Sequence, residues 1–170
     1  MRLLNIIFIL VLMPSTVAAQ GVTFAREGVE YRLELPSSRW RAVERLDVHD
    51  HFDFVHGEDR DDGYLRVRKS LVGAGTTPKD LHLEDEARTL KLLPGYVACS
   101  TCEGEKFSGA LSGAVFSYEY TSGGLPMAGR VYYLRVDART YYTLHFTCNR
   151  KWIADVSVQA DSIARSFGLK

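Results

Sequence analysis

No apolar run in this chain is long enough to cross a bilayer as a helix, which takes about 20 residues. The longest, Leu3 to Met13, is broken only by Asn5 and reaches about half that length. An excess of charge of one sign is missing too. The 21 Lys and Arg residues balance 21 Asp and Glu, and no basic block stands out, so a nucleic-acid or anionic-membrane partner is disfavoured. There is no internal repeat, no low-complexity linker, no dinucleotide fingerprint and no nucleophile elbow with a Ser/His/Asp order. Gly123-Gly124 precedes no Gly-Lys-Ser/Thr and opens no helix, which excludes a phosphate loop. Nothing points to a cofactor.

What is present begins with an export signal. Arg2 supplies a positive charge, the apolar run follows, and Pro14-Ser15-Thr16 breaks it. Val17-Ala18-Ala19 then places small residues just before Gln20. Residues 1–19 read as a signal peptide and 20–170 as one domain, exported to a periplasmic or extracellular space. No Cys follows the run closely enough to take a lipid anchor, and no stable membrane span is expected after cleavage. The remaining chain of about 150 residues suits a single domain with a sizeable core. Its 46% hydrophobic and 25% charged composition is that of an ordinary globular protein.

Periodicity predicts strands first. Tyr31, Leu33 and Leu35 alternate on one face. Phe52–His56 and Tyr64–Leu71 flank Asp62-Gly63, which predicts a hairpin turn with positive φ. Thr77-Pro78-Lys79-Asp80 reads as a capped helix start, with the helix running to about Leu92 and ending at Pro94-Gly95. Leu83, Ala87 and Leu90 are expected on its inner face. Three further strands follow, carrying Phe116, Tyr118 and Tyr120, then Tyr132, Leu134 and Val136, then Tyr142, Leu144 and Phe146. Their close spacing argues for antiparallel pairing. A final helix carries Ile153, Val156, Ala160, Ile163 and Phe167 inward and Asp155, Gln159 and Arg165 elsewhere, with Gly168 as its stop. The class is α+β: an antiparallel β-sheet covered by helices.

Tyr31-Arg-Leu-Glu-Leu-Pro36 followed by Trp40, the central hairpin, the mid-chain helix and the closing Ala160-Asp-Ser-Ile-Ala-Arg-Ser-Phe167 resemble the PsbP-like domain. That group takes in the extrinsic PsbP protein of the oxygen-evolving complex, the Ran-binding Mog family and bacterial DcrB-like exported proteins. The resemblance covers nearly the whole mature chain and rests on element order and apolar anchors. It implies an α-β-α sandwich whose members mostly bind or stabilise partners, and it brings no shared active-site motif.

Three features could carry chemistry. His49, His51 and His56, beside the acidic run Glu58–Asp62, offer imidazole and carboxylate to a metal, although their spacing matches no zinc or calcium motif. The competing reading is a solvated strand end leading into a charged hairpin tip. Cys99 and Cys102 form a Cys-x-x-Cys pair, which in an exported protein is read first as a structural disulfide and second as a redox site. Cys148 is left as a free thiol, a partner of either, or an intermolecular link. Leu125, Pro126 and Met127 would put apolar side chains at a hairpin tip, where they fold back on the sheet or meet a partner. The expected role is a non-enzymatic interaction or accessory module with a protein partner. A metal- or small-ligand-binding protein using the His49/His51/His56 region is the first alternative, and a thiol-disulfide protein is the second.

Overall fold

The structure, a computed structural model, describes residues 21–45, 52–99 and 104–170. The signal segment, His49, His51 and Cys102 lie outside them. The chain runs through β1 (Val22–Phe24), β2 (Tyr31–Leu35), β3 (Trp40–Glu44), β4 (Phe52–His56) and β5 (Tyr64–Leu71) into α1 (Pro78–Arg88). After a 3-10 turn at Leu90–Leu92 come β6 (Val97–Ala98), β7 (Glu105–Ser108), β8 (Ser112–Ser122), β9 (Leu125–Arg135) and β10 (Thr140–Asn149). A second 3-10 turn at Arg150–Trp152 leads into α2 (Ile153–Ser166) and the short β11 (Gly168–Leu169). A large antiparallel sheet is ordered β3-β4-β5-β10-β9-β8-β6, with β7 also on β8, and a small antiparallel sheet is ordered β1-β2-β11.

The β8–β9 hairpin closes on Gly123-Gly124, both at positive φ, a two-residue turn whose twist matches the strands. The β4–β5 connection differs from expectation. Positive φ falls on Gly57 and not on Gly63, and Asp59 Oδ1 organises the loop by accepting from the Asp61 and Asp62 amides at 2.8 and 3.3 Å. Gly63 is small for a packing reason. A Cβ there would lie 2.9 Å from His56 Cβ and 3.1 Å from Val156 Cγ1.

The main core lies between the large sheet and the layer formed by α2 with the small sheet. Tyr31, Leu33 and Leu35 from β2 meet Leu144 and Phe146 from β10 and Ala160, Ile163 and Phe167 from the last helical segment. Helix α2 ends at Ser166, Phe167 turns extended, and Gly168 continues into β11 instead of capping the helix. Gln159 is not on an outer face. Its Oε1 accepts from Trp40 Nε1 at 3.0 Å and Ser37 Oγ at 3.3 Å.

Helix α1 covers the opposite face. Its capping box forms as expected, with Thr77 Oγ1 accepting from the Asp80 amide and Asp80 Oδ2 accepting from the Thr77 amide. Its inner face is another matter. Leu83 and Ala87 point to solvent, and Leu81, His82 and Asp85 face the sheet beside the expected Leu90. The sheet meets Asp85 with a hydrogen bond, donated by Tyr133 at 2.8 Å, while the His82 ring stacks on Phe116 with its Nδ1 left without a hydrogen-bond partner among the described residues.

Candidate functional site

The candidates marked by sequence do not gather into one site. His49 and His51 lie outside the described residues, and among the described residues no three His, Cys, Asp or Glu side chains meet as metal ligands. His56 is buried, not solvated as a strand end would be, because α2 roofs β4. Cys99 is disulfide-bonded, Cys102 is outside the described residues, and Cys148 is a buried free thiol within β10. Burial pushes the Cys148 thiol up to about 12. At the hairpin tip Leu125 and Pro126 are exposed while Met127 folds into the sheet.

A constellation that the sequence did not mark lies on the α1 side of the large sheet. Helix α1 packs on β8 and β9, and on the same side of the sheet β5 carries the exposed Arg68. Antiparallel register puts Asp53 opposite Arg66, Arg66 opposite His145, and Arg68 opposite Thr143, so all share one face. Between this face and the flank of α1 lies a cavity of about 90 Å³, lined by Arg66, Arg68, Asp85, Thr89, Thr143 and His145.

Arg66 and His145, which line it, are held by neighbours on the sheet. Tyr64 donates its hydroxyl to Asp53 Oδ2. Arg66 Nη2 donates to the Tyr64 oxygen at 2.8 Å and pairs through Nε with Asp53 Oδ1 at 3.5 Å. The Arg60 guanidinium lies 4.8 Å above the Tyr64 ring and that of Arg66 lies 5.6 Å from it. His145 shares a hydrogen bond with the Tyr118 hydroxyl through Nε2. Burial pushes His145 down to about 4, with Arg66 and Arg68 adding to the effect against the opposing field of Asp85. Tyr64 is raised, first by burial and then by its bond to Asp53. The imidazole is therefore neutral and weakly basic, and the phenol stays protonated. Neither is tuned for proton transfer near neutral pH. Arg68 is exposed and, among the described residues, has no ion-pair partner. What this face offers chemically is hydrogen-bond donation and positive charge.

No family model matches the chain, and no curated protein matches its sequence. Solved structures do match its shape. LpqN of Mycobacterium tuberculosis, a protein involved in cell envelope biogenesis, superposes with a TM-score of 0.60 over 89% of this chain and 91% of its own, at 16% identity. The cyanobacterial PsbP protein of Synechocystis sp. PCC 6803 gives 0.58 over 94% and 97%, at 14% identity. This chain has the PsbP/Mog fold. The Ran-binding protein Mog1p of Saccharomyces cerevisiae completes the group, with a TM-score of 0.59 over 89% and 96% at 9% identity. At such identities the PsbP/Mog likeness speaks for architecture, and function has to be argued from the site.

Proposed function

We propose that the mature domain is an exported, non-enzymatic interaction module that receives an acidic partner surface at Arg68, on the α1 side of the large sheet. The observation that carries this is Arg68, an exposed guanidinium that has no ion pair among the described residues and that lines a cavity with Arg66 and Thr143. Planar guanidinium groups favour carboxylates, which they bind through paired hydrogen bonds. Exposed charges at an interface mainly steer encounter and select partners. Export rests on Arg2, the apolar run and Val17-Ala18-Ala19, and a neighbour of the same fold is involved in cell envelope biogenesis. Protein binding as a mode of action is supported by a second neighbour, named for its binding to Ran.

Cross-linked co-purification from the native envelope tests the reading. A partner held by the wild type should be lost with Arg68→Glu and kept with Lys106→Glu, an exposed basic residue on β7. Its capture should also weaken as salt is raised. A partner retained by Arg68→Glu would move the docking surface elsewhere.

A further inference from the structure

On the other side of the large sheet, His56 is only 3% exposed, and neither ring nitrogen has a hydrogen-bond partner. Trp40 lies across the strand pair from it, with ring centroids 5.2 Å apart, and α2 approaches closely at Gly63, where an added Cβ would lie 2.9 Å from His56 Cβ and 3.1 Å from Val156 Cγ1. A neutral imidazole carries one donor and one acceptor, and burying both unmet is costly. Burial, reinforced by Arg39, lowers the His56 pKa and keeps the ring neutral, although the Asp62 main chain and carboxylate pull the other way. The Asp62 main chain is near the ring, yet no hydrogen bond of good geometry closes between them.

The ring borders a cavity of about 130 Å³ whose other polar walls are Arg39, Asp62, Asp155 and Gln159, with Trp152 at the side. Arg39 is paired with neither aspartate, and among the described residues none of the three belongs to an ion pair. The fold therefore holds one guanidinium and two carboxylates around a gap without letting them neutralise one another. Gln159 Oε1 is already taken by Trp40 and Ser37, which leaves the donor end of that amide for the cavity.

A simple anion entering this gap meets two carboxylates, and a simple cation meets Arg39. A ligand with both signs on neighbouring atoms suits it. We propose that the cavity at His56 binds a small zwitterion of the α-amino-acid class. Its ammonium lies toward Asp62 and Asp155, its carboxylate toward Arg39 and the Gln159 amide, and His56 completes a hydrogen bond to it. The volume admits a ligand with a small side chain and excludes a drug-sized one. The site is independent of the Arg68 face and stands or falls separately from it.

The probes are glycine, L-alanine and L-serine, with glycinamide and N-acetylglycine as blocked controls, titrated into the mature domain. The readouts are calorimetry and the ¹⁵N resonances of the His56 ring. At least one free amino acid should bind and shift the ring resonances, while each blocked form binds about tenfold more weakly or worse. Asp155→Asn, at the exposed mouth, should weaken binding by about tenfold, and Val158→Ala, exposed on the same helix, should leave it unchanged. Unmoved ring resonances with all three amino acids would mean a cavity holding water alone, and would overturn the proposal. Equal binding of the blocked forms would overturn it as well. A response to zinc chloride alone that disappears in a His49→Ala, His51→Ala double variant would replace it with a metal site.

Discussion

His82 lies flat on Phe116, ring centroids 3.9 Å apart and planes 12° from parallel, as α1 settles on the sheet. Burial lowers the His82 pKa despite the opposing carboxylates of Glu86 and Asp85. His56 is lowered by burial too, and His145 is pushed down to about 4. All three shifts have the same sign, so below their unfolded value of about 6.5 the unfolded chain binds more protons than the folded one. Stability should be fully present above about pH 6.5 and should fall as pH drops toward 4. For His145 the change from 6.5 to about 4 corresponds to up to about 3 kcal/mol. Denaturant titrations from about pH 7.5 to about pH 4.5 should show this decline, and His145→Gln should flatten part of it. A stability that rose on acidification would contradict the burial of these rings.

The last helical segment provides a packing test. Phe167 is fully buried, stacked on Tyr31 and tilted against Tyr142 with centroids 5.0 Å from each. Phe167→Ala should cost about 3–5 kcal/mol. Gln159→Ala strands the buried Trp40 indole N–H and should cost about 1–3 kcal/mol. Val158→Ala, on the exposed face, should change stability by less than about 0.5 kcal/mol. Urea unfolding of the three variants ranks them, and Gln159→Ala matching Val158→Ala would show that the indole bond contributes nothing.

What could be read in advance follows from where partners sit in the chain. The alternation of Tyr31, Leu33 and Leu35 was legible because one side of β2 is buried and the other is wet. The Thr77–Asp80 cap was legible because both partners lie within one helical turn. The inner face of α1 was not. His82 stacks there on Phe116 and Asp85 accepts from Tyr133, both distant in sequence and set by sheet register. The Arg66–Arg68 face was missed for the same reason. In β5 alone it looks like ordinary solvent-side alternation, and only pairing with β10 brings His145 and Thr143 beside it.

Export makes its own prediction. If residues 1–19 are removed, intact mass of the secreted protein should place the mature N-terminus at Gln20, with or without cyclisation of that glutamine. A product that retains Met1 or the Leu3–Met13 run would withdraw the export reading.

The thiols offer the sharpest chemical test. Cys99 is disulfide-bonded and Cys148 is free, so of the three cysteines in the chain we propose Cys102 as the partner of Cys99. A bond between them closes a very short loop and removes little denatured-state entropy, so its stabilisation should fall at the low end of the usual range of about 2–4 kcal/mol. The domain should therefore remain folded after mild reduction. Cys148 is fully buried on the main-core face of β10, and its thiol is pushed up to about 12, so almost no thiolate forms near neutral pH. Iodoacetamide should leave native protein unlabelled, label one site after unfolding, and label three after unfolding with reduction. Peptide mapping should then assign the first label to Cys148 and the other two to Cys99 and Cys102. A Cys148 bridge would refute both the pairing and the burial. Turnover of a disulfide substrate that fell on Cys99→Ser would replace the structural bond with a redox site.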